Sequence, residues 1–415
     1  MSDQFPVLSL KERDRRWGEV RRLLASLDMD CVLVFGLKGR QHFEAYLANE
    51  HIEGMAILPR ESDPVVVTWH PKMIIRRMGS KTDSSRFWIK EARIGKYGPA
   101  IVEVLKERGL ERSHVGVVGL EVPEAGCPEG IVPYPMWKAV LDGLPNARFT
   151  DISWEFREVM LAKSEEELAV LRRSALLGER ACEAMLQAVK PGASEFDIYE
   201  AVQSEIHRGG GVSHDPYLIM TWGKDDLGWF EPGWTDYGGS PRLVEPGDLI
   251  MAELFPAYGG LETQQQFSIA VAPVEPVIEE LAQVAHRCYE AGLAALRPGR
   301  TFAELADAML QPVRDCGGWT FTPMVHSVAP LGWTGGMGYN AEAMPARYKA
   351  YTRTFNAGMG GRQHRPLQLR ENMSFAFEPN ACKGQRRVNV GGSVVVTRGE
   401  PEELNQLANF MRVVG

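Results

Sequence analysis

"AVKPGASEFDIYEAV", residues 188–202, returns in altered form as "ALRPGRTFAELADAM", residues 295–309. Both copies read as the end of one helix, a Pro-Gly turn, a Ser or Thr placed to cap a second helix, then a Phe and an acidic residue in its first turn. The two turn prolines, Pro191 and Pro298, lie 107 residues apart. A strand-rich section follows each copy, 248–272 after the first and 373–397 after the second. A helix–helix–strands unit used twice predicts two related halves packed as one domain, with their sheets facing each other and helices outside.

Upstream of the first copy, "KSEEELAVLRRSALLGERACEAMLQA" opens with Ser164 and Glu167 spaced as a capping box. In such a box the serine accepts from a free backbone N–H and the glutamate reaches back to the cap. Leu168, Leu171 and Ala175 begin its buried stripe. Before this helix the pattern changes. "DCVLVFG" (30–36) and "HVGVVGL" (114–120) read as strands, residues 10–27 and 100–110 as helices, and 54–70 as a hairpin. This predicts an N-terminal α/β domain over residues 1–155 and a second domain over 156–415. The first has no glycine-rich phosphate loop, so it is assigned no nucleotide.

The chain has 415 residues, 44% hydrophobic and 24% charged, with a formal net charge of −8. That composition fits an ordinary globular protein. No basic block stands out, which argues against nucleic acid or an anionic membrane as partner. The six cysteines form no CxxC unit and read as reduced thiols. The N-terminal stretch lacks the apolar region of a secretory signal, and no apolar run is long enough to span a bilayer. The expected location is the cytoplasm.

One strand is chemically odd. "GGLETQQQFSIAV" (259–271) alternates as a strand does, yet carries Gln264, Gln265 and Gln266 in its middle. Glutamine is a poor strand former. Gln264 and Gln266 share one face, and Glu262 continues that face near a turn, where it is expected to meet solvent. Glu253, in "LIMAELF", and Glu378, in "SFAFEP", are carboxylates inside apolar strands. Such groups need a partner or a function. For Glu253 the structural alternative is an ion pair with an arginine such as Arg387.

Taken together, the duplicated Pro-Gly helices, "PGDLIMAELFPAYGG", "VHSVAP", and "ENMSFAFEPN" followed by "VNVGGSVVVT" resemble the pita-bread superfamily. That superfamily includes creatinase, prolidase, aminopeptidase P and methionine aminopeptidase. The resemblance covers about 155–415 and implies an α+β fold, a creatinase-type N-terminal domain and a homodimer. Metal-dependent members hold two divalent ions with Asp, Asp, His, Glu and Glu. Carried over, these positions fall at Glu253, Gln264, His326, Glu378 and Gly391. A longer acid stands at the first, an amide at the second and no side chain at the last. Two dications would be short of ligands and of negative charge. The resemblance therefore implies a degenerate site with no metal cofactor. The alternative is one divalent ion on Glu253, His326 and Glu378.

Creatinase keeps this fold without metal, using a histidine as acid/base and glutamates to hold a cationic substrate. Its histidine precedes the first metal strand, where this chain has "EPGWTDYGGSPRLVEPGD". His214 and Tyr237 are the candidates for that missing acid/base beside His326. Trp222 and Trp234, in an aromatic group with Trp229 and Phe230, are candidate walls for an aromatic or cationic substrate. Gln264 and Gln266 either orient that substrate or fill a dead ligand position. His326 and Glu378 lie 52 positions apart, an interval that includes an insertion, about 333–366, read as a lid. His364, Arg347, Arg353, Arg362 and Arg365 lie in it.

The expectation is thus a metal-independent hydrolase of a C–N bond in a small molecule. In it His326 moves protons, Glu253 and Glu378 hold substrate or activate water, and Gln264 and Gln266 orient. The alternatives are an Xaa-Pro-peptidase-type enzyme with a single metal, a lyase on the same fold, or a non-catalytic binding homologue.

Overall fold

The computed structural model describes residues 5–36, 42–79, 87–120, 132–223, 227–346 and 366–415. Contacts within the chain divide it into two compact units, Val7–Met160 and Leu161–Gly415, the latter with the short stretch up to Pro6.

The first unit opens with α1 (Leu10–Ser26), capped by the Ser9 hydroxyl accepting from Glu12 N. There follow β1 (Cys31–Phe35), α2 (Phe43–Ala48), β2 (Gly54–Pro59), β3 (Val65–Thr68), α3 (Lys72–Gly79), β4 (Glu91–Ile94), α4 (Tyr97–Glu107), β5 (His114–Val118), α5 (Tyr134–Gly143), β6 (Arg148–Asp151) and α6 (Ser153–Leu161). The strands form one mixed sheet in the order β4-β3-β2-β1-β5-β6. β1, β2 and β3 are buried along their whole length, as strands covered on both faces should be.

The second unit contains α7 (Glu165–Ala188), α8 (Glu195–Arg208), β7 (Val212–Trp222), α9 (Trp234–Tyr237), β8 (Leu249–Tyr258), β9 (Leu261–Glu262), β10 (Gln265–Val271), α10 (Pro276–Ala295), α11 (Phe302–Asp315), β11 (Val325–Ser327), β12 (Thr334–Gly335), β13 (Ser374–Phe377), β14 (Asn380–Lys383), β15 (Arg386–Asn389), β16 (Gly391–Val395), β17 (Glu402–Glu403) and β18 (Arg412–Val414). No helix among the described residues is long and apolar enough to cross a membrane.

The repeat is built as its sequence predicts, down to single hydrogen bonds. Ser194 with Asp197 and Thr301 with Glu304 form capping boxes at the starts of α8 and α11. Gly192 and Gly299 turn the chain at φ 85 and 88°, values that favour glycine. Gly192 N donates to Val244 O, and Gly299 N donates to Leu369 O. Val244 and Leu369 are 125 residues apart, and the same interval relates Glu253 to Glu378. The two carboxylates singled out in the sequence are therefore counterparts in the two halves.

In one respect the halves differ from expectation. Their strands do not form two facing sheets but one continuous sheet, β12-β11-β13-β16-β10-β8-β7. The seam is where Gln265 pairs with Gly392 and Gln266 with Gly391. Glycine permits the close approach. A Cβ on Gly391 would lie 2.1 Å from the Phe377 carbonyl oxygen, and one on Gly392 2.7 Å from Asn405 Cβ.

The sheet has two chemically distinct faces. Leu218, Met220, Ile250, Ala252, Phe267 and Ile269 pack with α7 and α8 in one apolar core. In the second half Phe377 meets Tyr289 of α10 and Phe375 stacks on Phe302 of α11. Gln265 lies on this helix side, where its amide donates to Thr263 and Asn405. Gly178, inside α7, makes room for it, since a Cβ there would fall 2.1 Å from Gln265 Oε1. The opposite face carries Glu253, Gln266 and the polar groups described next.

Candidate active site

Strand registers bring the polar face together. Glu253 on β8 stands directly across from Gln266 on β10, and Gln266 across from Gly391 on β16. His326 on β11 pairs with Ala376 on β13, which pairs with Ser393 on β16. Opposed residues share a face, so Glu253, Gln266, Gly391 and His326 all belong to one surface. Glu378 follows β13 directly. Its N–H donates to Met324 O, which fixes it beside the strand carrying His326. One ligand atom from each of Glu253, His326 and Glu378 lies within 4.8 Å of the others. All three side chains are buried.

His326 is held at both nitrogens. Nδ1 is 2.8 Å from the Ser327 carbonyl, which can only accept, so Nδ1 carries a proton. Nε2 is 2.7 Å from Glu378 Oε1. Burial, the largest single influence, pushes the imidazole pKa down, but Glu378, the Ser327 carbonyl and Glu253 together outweigh it. The net result is a histidine above its ordinary value. Two acceptors around one ring suit the imidazolium form.

Glu253 has a different setting. Trp229 Nε1 donates to its Oε2 at 2.7 Å. Behind the indole, the buried Arg387 guanidinium lies 4.4 Å from the ring centroid. Arg387 donates to Leu227 O, Thr322 Oγ1 and Asn389 Oδ1. Burial lowers its pKa, with Cys382, Glu378 and Glu253 acting the other way.

The amides form a directed row. Gln264 Nε2 donates to Glu262 Oε1 at 2.9 Å, and Glu262 Oε2 is 2.9 Å from His214 Nδ1. At the other end Arg387 donates to Asn389 Oδ1, so Asn389 Nδ2 must be its donor, and it gives a 2.6 Å bond to Gln266 Oε1. Charged ends thus fix which way each amide faces. Among the described residues, this leaves Gln264 Oε1 and Gln266 Nε2 buried and without a partner. Each such group costs about 1–3 kcal/mol unless something satisfies it. The polar face therefore presents one acceptor and one donor.

Several expected site residues lie elsewhere. Tyr237, on the short α9, is 89% exposed, whereas the acids are buried. Trp234 packs between Phe196 and Tyr199 against α8. Trp222 belongs to the apolar core, its indole donating to Asp248 Oδ2. The period-2 alternation of β7 puts it on the helix side. Trp229 is the aromatic that reaches the site. Glu262 is buried, not solvent-facing, because His214 and Gln264 both engage it. His214 stands at the Glu262 end of the row, four residues or roughly 13 Å along the strand from Gln266. Of the insertion, Thr334 and Gly335 add β12 to the sheet edge. Residues 347–365, with His364 and the four arginines, lie outside the described residues.

Asn380 escaped the sequence reading. Its amide accepts from Phe321 N and donates to Thr322 O and Pro323 O, holding the segment that leads into His326. Its only signal was its place two residues after Glu378.

The dinuclear metal centre that the resemblance implies asks for carboxylates at positions 264 and 391. Position 264 offers an amide whose nitrogen is committed to Glu262. Position 391 has φ 133° and no space for a Cβ. A pair of ions does not fit this donor set. A single ion has three convergent donors.

The model of metallopeptidase family M24 matches residues 169–398. The chain is 21% identical to the creatinase of Bacillus sp. (strain B-0618) over 320 residues, 75% of this chain and 72% of that one. It is 23% identical to an Xaa-Pro dipeptidase of Lactobacillus helveticus over 257 residues, 61% of this chain and 62% of that one. Its fold is similar to the X-Pro aminopeptidase of Thermotoga maritima MSB8, with a TM-score of 0.71 at 14% identity, covering 96% of this chain and 99% of that one. The prolidase of Pyrococcus horikoshii OT3 gives a TM-score of 0.68 at 14% identity over 94% of this chain and 98% of that one.

Proposed function

The chain belongs to metallopeptidase family M24, and from that premise we propose a hydrolase that cleaves an amide or amidine C–N bond of a small molecule without a metal ion. The observation that carries the reading is Gly391. Its backbone conformation and its contact with the Phe377 carbonyl leave no room for any side chain where the dinuclear site needs a carboxylate.

The remaining residues suit acid/base hydrolysis. Protonated His326 donates from Nε2 to the leaving nitrogen. Glu378 takes a proton from the attacking water, whose oxygen bonds to carbon as the C–N bond breaks. The 2.7 Å contact between Glu378 and His326 returns that proton to the imidazole. Glu253, oriented by Trp229, lies across the cluster and favours a substrate that is cationic or becomes so. Gln264 Oε1 and Gln266 Nε2 offer the substrate one acceptor and one donor.

A second reading rests on the convergence of Glu253, His326 and Glu378. These three could hold one divalent ion, which would supply Lewis-acid polarisation of a carbonyl and a more acidic bound water. Elemental analysis of the purified protein, with turnover of an amide and amidine panel before and after chelation, separates the two. Activity unchanged by chelation is expected. A stoichiometric ion whose removal abolishes turnover overturns the metal-free reading.

A further inference from the structure

The N-terminal unit holds a second convergence of ligating groups. His42 immediately precedes α2, Glu44 lies in its first turn, and His51 follows the helix. One ligand atom from each lies within 4.8 Å of the others. The two imidazole rings are 3.9 Å apart between centroids, and His51 Nδ1 is 3.0 Å from Glu44 Oε1. Ligand atoms on a tetrahedral ion with bonds of about 2.0–2.1 Å lie roughly 3.3 Å from one another, and the Glu44–His51 pair, at 3.0 Å, is close to that spacing.

The second observation is the carboxylate itself. Glu44 is fully buried. Its Oε1 accepts from Ile52 N and meets His51, while Oε2 has no hydrogen-bond partner among the described residues. Gly36 makes this placement feasible, since a Cβ there would overlap Oε2 at 1.4 Å. A buried carboxylate is costly without a full complement of partners. Burial raises the Glu44 pKa, with His51 and the Ile52 N–H pulling it down. His51 is nearly half exposed, so an ion has a path in from solvent. Two imidazoles and one carboxylate with an open side form a donor set suited to a borderline divalent cation such as Zn²⁺.

We propose that His42, Glu44 and His51 bind one zinc-class divalent cation, a site that uses no residue of the candidate active site. The ion would tie the start of α2 to the segment after it, and water would complete its coordination.

The test titrates Co²⁺ into the metal-stripped full chain and follows its visible d–d absorption. Wild type, His51→Gln and His326→Gln are compared, with circular dichroism to confirm that each is folded. His51 is chosen because its exposure makes misfolding the least concern. The expected result is saturation at one equivalent in wild type and His326→Gln, with affinity reduced at least about 100-fold in His51→Gln, beyond the 10–100-fold that loss of an outer-shell partner costs. Unchanged binding in His51→Gln, no binding in wild type, or loss in both folded variants overturns the site. Loss in His326→Gln alone moves the ion to the other cluster and overturns the metal-free reading as well.

Discussion

Thr221 and His326 hold the same place in the two halves of the repeat. Thr221 stands across from Met251, His326 across from Ala376, and Met251 and Ala376 are 125 residues apart. One half thus offers a hydroxyl, turned toward the Gly228 carbonyl, where the other offers an imidazole bound to a carboxylate. The counterpart acids follow suit. Glu378 finds its partner within its own half. Glu253 takes Trp229 from the connection that follows β7. The difference teaches that duplication supplied two equivalent carboxylates, and their partners divided the labour. On the proposed mechanism, the second half moves protons and the first holds charge.

The strongest way to break this division is to neutralise each acid in turn. Glu378→Gln removes both the group facing His326 and the acceptor for a water proton. It should lower kcat by about 10³-fold, within the range for a positioned acid/base group. Glu253→Gln should act mainly on KM, by roughly 10-fold, because its charge binds the substrate rather than reacts. Steady-state kinetics on one substrate decides. Equal losses in kcat would mean that the two halves do not divide the work.

The seam between the halves gives the next largest effect. Gly391 and Gln266 are counterparts across it, 125 residues apart and paired. Gln266→Glu should fold, because a side chain already occupies that place. Gly391→Glu places a Cβ against the Phe377 carbonyl at a backbone angle that disfavours it. The cost should be at least about 3 kcal/mol, seen as a fall in the urea midpoint. A Gly391→Glu protein as stable as its parent, and binding two metal ions, would overturn the metal-free reading.

The pH dependence sharpens the imidazole side of the comparison. The folded pKa of His326 lies above its ordinary value, so folding favours its protonated form. Its contribution to stability is fully present below the unfolded value of about 6.5 and is lost as pH rises through the raised folded pKa. His326→Gln should therefore cost most stability in mild acid and least in base, by denaturant unfolding at several pH values. Thr221→Val, lacking a titrating group, should cost the same at every pH. A penalty for His326→Gln that grows with pH contradicts the charged-pair picture.

Much of this was readable in the sequence, because the repeat's signals are local. Capping boxes, Pro-Gly turns and strand alternation depend on neighbouring residues, and they set α7, α8, α11 and the faces of β8 and β10. The positions of Glu253, His326 and Glu378 followed from a resemblance over five motifs. What sequence did not show depends on contacts distant along the chain. Glu262 looks like a turn residue until His214, 48 positions earlier, is seen against it. The joining of two sheets into one rests on glycines whose neighbours are not their sequence neighbours. The sequence singled out Trp222 and Trp234 ahead of Trp229, and only the strand's alternation and the packing of α8 assign each to a side.

That last distinction carries the smallest effects. Trp229→Phe keeps the ring over Arg387 but removes the 2.7 Å donor to buried Glu253. A lost hydrogen bond to a charged group is worth about 1.5–3 kcal/mol, so KM should rise about 10-fold or more with little change in kcat. Tyr237→Phe deletes a hydroxyl from a side chain that is 89% exposed, and both parameters should stay within about twofold, surface substitutions costing roughly 0.5 kcal/mol or less. The pair is informative because both residues belong to the same connection after β7. If Tyr237→Phe proves the more damaging, α9 must fold inward when substrate binds, and the first half would then take part in the chemistry rather than only holding charge.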